Sequence, residues 1–277
     1  MTRDHRTRPL GAPALALFTA LALLPASGSA AERIRLSYTL YVGYLSALDV
    51  TATVSLGDGR YRIEALVAPQ SWIAWALPWT ARFLGEGRIE DGAARPEHHQ
   101  VASTWGHRSR KTEIDQDADG TVRVAFDPPV QDAGREPVPD PLRTGTIDPV
   151  SAVAALSEAA RGDRGCPAAM PMFDGRRRFD IQGERLPDAA IPASRYSAYA
   201  GPSTVCRLTF SMVAGGYRDG ERSRFWQAPK AGRPRPPAEV WLARPRPDLP
   251  PLPVYAIGES VLGWVTVYLS AVAVEAE

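Results

Sequence analysis

Apolar and polar residues alternate along most of the chain with the period of two that puts every second side chain on one face of a strand. The alternation begins at Ile34, Leu36, Tyr38, Leu40 and Val42 and resumes over about 49–56. It turns at Gly57-Asp58-Gly59 and continues at Tyr61, Ile63, Ala65 and Val67. Short runs joined by such turns predict an antiparallel meander. Further strands are expected over 85–90, 96–104, 110–115 and 121–126, with turns at Asp91-Gly92 and Asp119-Gly120. Later ones fall over 194–200, 205–214, 239–243, 254–257 and 262–274.

Two stretches replace this alternation with helical spacing. Asp148 can accept hydrogen bonds from the free amides of a helix's first turn, and Pro149 brings a preset φ to the first helical position. Val150, Val153, Ala154 and Leu156 then form an apolar stripe, so a short helix is predicted from Asp148 to Gly162 or Gly165. Ser151 lies in its first turn. The other stretch is aromatic. With Ser71 as N-cap, Trp72, Trp75, Ala76 and Trp79 fall at i, i+3, i+4 and i+7 on one face of a short helix broken near Pro78, and Phe83 follows. That face either closes one end of a curved sheet or forms a lip for an acyl chain or a membrane surface. Trp72, Trp75, Trp79 and Phe83 are therefore the candidate ligand-binding residues.

Between these features, Asp174-Gly175 separates Met172-Phe173 from the alternating Arg178-Phe179-Asp180-Ile181, as a two-residue type I′ hairpin turn requires. Residues 127–147 and 215–237 are too rich in proline and charge for regular structure and read as irregular loops. The second carries Arg218, Arg222, Arg224, Lys230, Arg233 and Arg235, either as a solvated loop or as a rim facing anions. The expected fold is mainly β: a curved antiparallel sheet or half-barrel, with one or two short helices, as a single domain over 31–277.

The start of the chain suggests a compartment. Arg3, Arg6 and Arg8 precede an apolar run over 14–24 and the small residues Gly28-Ser29-Ala30, the pattern of a secretory signal peptide cleaved near Ala30. The run is about half the roughly 20 residues that a membrane span needs, so no transmembrane span is expected after cleavage. The implied location is the periplasm. Two cysteines, Cys166 and Cys206, read as one disulfide in an oxidising compartment. A net charge of +1 gives no reason to expect a nucleic-acid partner.

Candidate chemistry is sparse. His98 and His99 point to opposite faces of a strand, and no second cluster supplies the ligands that a metal would need. Gly258-Glu259-Ser260-Val261-Leu262-Gly263 has its second glycine one residue too late for a nucleophile elbow. Asp174, Arg176, Arg178 and Asp180 alternate along a hairpin and can pair across it. A hydrolase using Asp148 or Asp174 is the enzymatic alternative. No cofactor is expected.

Several motifs follow one another in order: D-P-V-S-A-V, Cys166 followed by F-D-G-R-R-R-F-D-I, A-Y-x-G-P-x-x-V-C, and V-W-L-A followed by L-P-V. In that combination the chain resembles the domain of unknown function 3108 family, exported and mostly proteobacterial proteins, over nearly the whole mature sequence. The resemblance implies a curved antiparallel sheet similar to the half-barrels of periplasmic lipoprotein carriers, and no established activity. The expected function is that of an exported, non-enzymatic envelope protein binding an apolar or amphipathic ligand, a lipid or lipidated partner, in a concave sheet. An assembly or scaffolding factor for envelope proteins or glycans is the alternative.

Overall fold

The computed structural model describes residues 32–129, 134–162, 165–217, 236–260 and 263–275. The leader expected over 1–30 and the basic residues between Arg218 and Arg235 lie outside them. Seven strands come first: β1 (Glu32–Val42), β2 (Leu45–Gly57), β3 (Arg60–Pro69), β4 (Trp79–Glu90), β5 (Ala93–Trp105), β6 (Arg108–Gln116) and β7 (Val122–Asp127). A 3-10 turn (Asp140–Leu142) and helix α1 (Ser151–Arg161) follow. The chain then forms β8 (Ala169–Phe173), β9 (Arg178–Arg185), β10 (Ala189–Ile191), β11 (Gly201–Ala214), β12 (Ala238–Ala243), β13 (Leu252–Ser260) and β14 (Gly263–Glu275).

The sheet runs β7-β6-β5-β4-β3-β2-β1-β14-β13-β12-β11-β9-β8, with β10 pairing on β11 beside that path. It is one antiparallel sheet that does not close, as the alternating pattern implied. Because every neighbour in this path is antiparallel, successive connections fall at opposite ends. Residues 43–44, 70–78, 106–107 and 174–177 lie at one end, the rim end. Residues 58–59, 91–92 and 186–200 lie at the other.

The inner face carries Ile34 and Leu36 of β1, Ala52 and Val54 of β2, Tyr61 and Ile63 of β3, Val254 of β13 and Leu269 of β14, all buried. Helix α1 lies against this face, packing on β4, β5, β12 and β13. Val150 and Ala154 join the first cluster. Ala152 and Leu156 join a second one with Met170, Ile181, Leu208 and Leu242. Gly85 explains how the helix comes so near the sheet, since a Cβ there would lie 2.7 Å from Val150 Cγ1. The disulfide between Cys166 and Cys206, with Cα atoms 5.7 Å apart, ties the exit of α1 to β11 as expected.

The two sheet edges are brought together by irregular chain. Ile147 bridges to Met172 of β8 in parallel, with Ile147 N donating to Pro171 O at 2.8 Å and Phe173 N to Ile147 O at 2.9 Å. From β6, Gln116 Nε2 donates to Thr146 O at 3.0 Å. Ile114, Val138 and Phe173 are buried there with Val122 and Val124 around them. Val138 and Thr146 are buried because the stretch over 134–148 fills the seam.

Two local expectations change. Residues 194–200 are not a strand: Ser197 Oγ accepts from Tyr199 N and donates to Tyr199 O, a local bonding that competes with a ladder. In the β8–β9 hairpin Phe173 pairs with Arg178 and Asp174 N donates to Arg177 O, so the turn is centred on Gly175-Arg176, one residue later than predicted. Asp174 Oδ1 instead accepts from the amides of Arg176 and Arg177, and Gly175 takes the positive φ of +89°.

Candidate functional site

Above α1, toward the rim end, the inner face is an aliphatic wall. In the β4–β5 register Gly85 stands opposite His99, Phe83 opposite Val101, Ala81 opposite Ser103 and Trp79 opposite Trp105. Alternation puts all of these on the helix side of the sheet. Across β3, β2, β1 and β14 the same face continues through Val67, Val50, Leu40 and Val267. Below this level Ile34, Leu36, Ala52, Val54, Tyr61 and Ile63 are buried. Leu40, Val50, Val67, Val101 and Val267 are only half-buried.

Exposed aromatic residues lie along the turns at this end of the sheet. Trp75 is 84% exposed, Trp264 57%, and Trp72 and Trp105 49% each, with Tyr44 and Leu45 exposed on the β1–β2 turn. Hydrogen bonds link the turns that carry them: Gly43 N donates to Trp264 O at 2.8 Å, Trp72 Nε1 to Ser46 O at 2.8 Å, and Gly106 N to Pro78 O at 2.8 Å. The body of the outer face on β3–β5 is charged instead, with Arg60 and Arg88 paired to Glu97, and Arg62 to Glu64 and Glu86.

Of the sequence-predicted residues, Trp72 and Trp75 are on the rim, Trp79 is half-buried at the mouth, and Phe83 packs against the core. They do not share one helical face. Residues 71–76 form successive turns, with Ile73 N and Ala74 N on Gln70 O and Ala76 N and Leu77 N on Ile73 O, and Trp79 already begins β4. Pro78 lacks an amide to continue the series. Tyr44, Trp105 and Trp264 were not picked out from the sequence. Each sits within two residues of a turn glycine with positive φ, Gly43, Gly106 or Gly263, and only strand order assembles them.

The D-P-V-S motif forms a buried polar knot. Asp148 Oδ1 accepts from Val150 N at 2.8 Å and Ser151 N at 2.9 Å at the start of α1, and Ser151 Oγ donates to Asp148 Oδ2. Tyr61 Oη donates to Ser151 Oγ at 2.8 Å, and His99 Nδ1 lies 3.0 Å from Asp148 Oδ1. Burial pushes the Asp148 carboxyl up, but the adjacent His99, Ser151 Oγ and the Ser151 amide together outweigh it and hold the group below its ordinary range. Burial likewise raises the Tyr61 phenol. Ser151 spends its proton on Asp148 rather than facing His99, and all three residues are at most 1% exposed. The arrangement fixes the helix and presents no activated nucleophile to solvent.

Elsewhere the structure offers less. A cavity of about 210 Å³ near the far end is lined by Asp188, Ser203, Thr204 and Arg244 among others. His98 turns outward to Asp115 at 2.7 Å while His99 turns inward, as adjacent strand residues must. Among the described residues no group of three His, Cys, Asp or Glu could hold a metal ion, and no helix is long and apolar enough to cross a membrane.

The family model described as protein of unknown function (DUF3108) matches residues 37–242, and the chain belongs to that family. A solved structure, the beta-barrel-like protein of domain of unknown function DUF1849 from Brucella abortus, is similar at 12% identity and a TM-score of 0.49, covering 89% of this chain and 98% of that one. No curated protein matches.

Proposed function

We propose that this DUF3108 member is an exported, non-enzymatic envelope protein that holds an apolar or amphipathic ligand, a lipid or lipidated partner, at the rim end of its concave sheet. The observation that carries this reading is the half-buried aliphatic wall above α1, which meets the Trp79–Trp105 pair at the end of the sheet whose turns carry exposed aromatic side chains. Each methylene buried on such a wall contributes about 0.8 kcal/mol, so five would contribute about 4 kcal/mol. Tryptophan suits the boundary between an acyl chain and water. The site is the upper half of the concave face, because α1 occupies the lower half. A disulfide is at home in the oxidising compartment that the basic and apolar leader suggests.

Native mass spectrometry of protein purified from its own periplasm tests this. A retained lipid or lipidated peptide is expected. Protein that emerges empty and also fails to bind an added single-chain amphiphile contradicts it.

A further inference from the structure

Most arginines of the body are ion-paired, among them Arg35, Arg60, Arg62, Arg88, Arg123, Arg207 and Arg246. Three at the rim end of the seam are not: among the described residues no carboxylate pairs with Arg110, Arg135 or Arg176. Three separate elements bring them together. Arg110 is on β6 opposite Ser103, two residues from Thr112, and so on the inner face beside the mouth. Arg176 is in the β8–β9 turn. Its neighbour Gly175 is seated so close to β6 that a Cβ would lie 2.7 Å from Thr112 Cγ2, and its guanidinium stands 4.9 Å over the ring of Phe126, which pairs with Thr112. Arg135 bridges to Tyr217, stacks 3.8 Å over that ring, and donates to Gly215 O at 3.1 Å. Gly215 in turn has no room for a Cβ against the carbonyl of Arg176.

The nearest carboxylate of the turn is already used, since Asp174 Oδ2 pairs with Arg177 at 2.7 Å. Burial, and then the charges of Arg110 and Arg135, lower the Arg176 pKa from its ordinary value. Stacking on Phe126 and Tyr217 fixes two planar donor groups without neutralising them. Such a like-charge cluster, with Arg135 and Arg176 half-buried and pre-oriented and Arg110 exposed beside them, is costly until an anion fills it.

From this geometry we infer that Arg110, Arg135 and Arg176 form a subsite for the anionic head, phosphate or carboxylate, of an amphiphile whose chain lies along the aliphatic wall. The inference rests on the ligand reading above and adds the charge of the ligand. Phosphate is the better match, because three guanidinium groups from different directions suit a tetrahedral anion with several acceptors. The wall and the cluster lie on the same inner side of the mouth, so one molecule can meet both.

The test measures binding of dodecyl phosphate and of dodecyl maltoside below their micelle thresholds, by calorimetry on the full mature chain at about 0.15 M salt, where long-range attraction is screened. Dodecyl phosphate should bind at least about tenfold more tightly, which is about 1.4 kcal/mol. Arg176→Gln should remove most of that preference and leave the maltoside affinity unchanged. Arg110→Gln, at an exposed strand position, should do the same in part without touching the seam. Equal affinities for the two amphiphiles overturn the anionic subsite while sparing the ligand reading, and no binding of either overturns both. Inorganic phosphate is the third arm. If it binds as tightly as dodecyl phosphate, in a manner sensitive to Arg176→Gln, the cluster serves free anions and the amphiphile assignment fails.

Discussion

Asp148 Oδ1, just ahead of the first turn of α1, lies 3.0 Å from His99 Nδ1 on β5, with both side chains out of reach of water. One carboxylate therefore caps the helix and fixes it to the sheet, and through Ser151 it also engages Tyr61 of β3. Removing it leaves the cap amides without their acceptor and takes away the carboxylate beside the imidazole. Asp148→Ala should cost about 3–5 kcal/mol in urea unfolding. A loss below about 1 kcal/mol would show that the knot does not anchor the helix.

The same carboxylate gives a pH dependence with a definite sign. Its folded-state pKa is held below the ordinary value near 3.9 of the unfolded chain, so its contribution to stability is complete above that value. It is lost as pH falls further, through the folded-state pKa. Asp148→Asn should therefore flatten the acid limb of stability below about pH 4. An unchanged acid limb in that variant would contradict the assignment.

Gly85 and Val150 make a second test of how the helix is seated. Gly85→Ala should destabilise by about 1–3 kcal/mol, since the new methyl overlaps Val150 Cγ1 and neither backbone is free to retreat. Val150→Ala in the same chain should recover part of that loss. The coupling between the two, measured by a double-mutant cycle in urea, should be at least about 0.5 kcal/mol. Additive effects would mean that the helix does not press on β4.

The disulfide closes a sequence separation of 40 residues between buried cysteines. Cys206→Ser should lower stability by roughly 4 kcal/mol in the chain-entropy model and leave amphiphile specificity unchanged. Differential scanning calorimetry with and without reductant reads the first part. Equal melting temperatures under the two conditions would contradict it.

The meander, the capped helix and the cysteine pair were legible because local rules govern them: period-two alternation, Asp-Pro ahead of an apolar stripe, and an even cysteine count. The hairpin turn was displaced by one residue because Asp174 uses its carboxylate on the following amides. The aromatic stretch suggested a helical face that Pro78 and the start of β4 prevent. The rest of the site was hidden for a topological reason. Tyr44, Trp105 and Trp264 are far apart in sequence and converge only because β14, β1, β2, β3, β4, β5 and β6 follow one another around the sheet. The partnership of Asp148 with His99 was hidden likewise, since no local pattern links a strand histidine to a helix cap 49 positions later.

The most direct test of a ligand seated at the rim end uses the tryptophans themselves. Five of the seven, Trp72, Trp75, Trp79, Trp105 and Trp264, stand on the rim or at its mouth. A single-chain amphiphile brominated along its acyl chain quenches indoles that it touches, so titrating it should quench most of the fluorescence. The Trp79→Phe/Trp105→Phe variant should lose a large part of that quenching, and Trp75→Ala should weaken binding while leaving the melting temperature within about 2 °C, as expected for an exposed residue. Tight binding without quenching, or quenching that survives in the Trp79→Phe/Trp105→Phe variant and in Trp75→Ala alike, would place the ligand elsewhere and contradict the account.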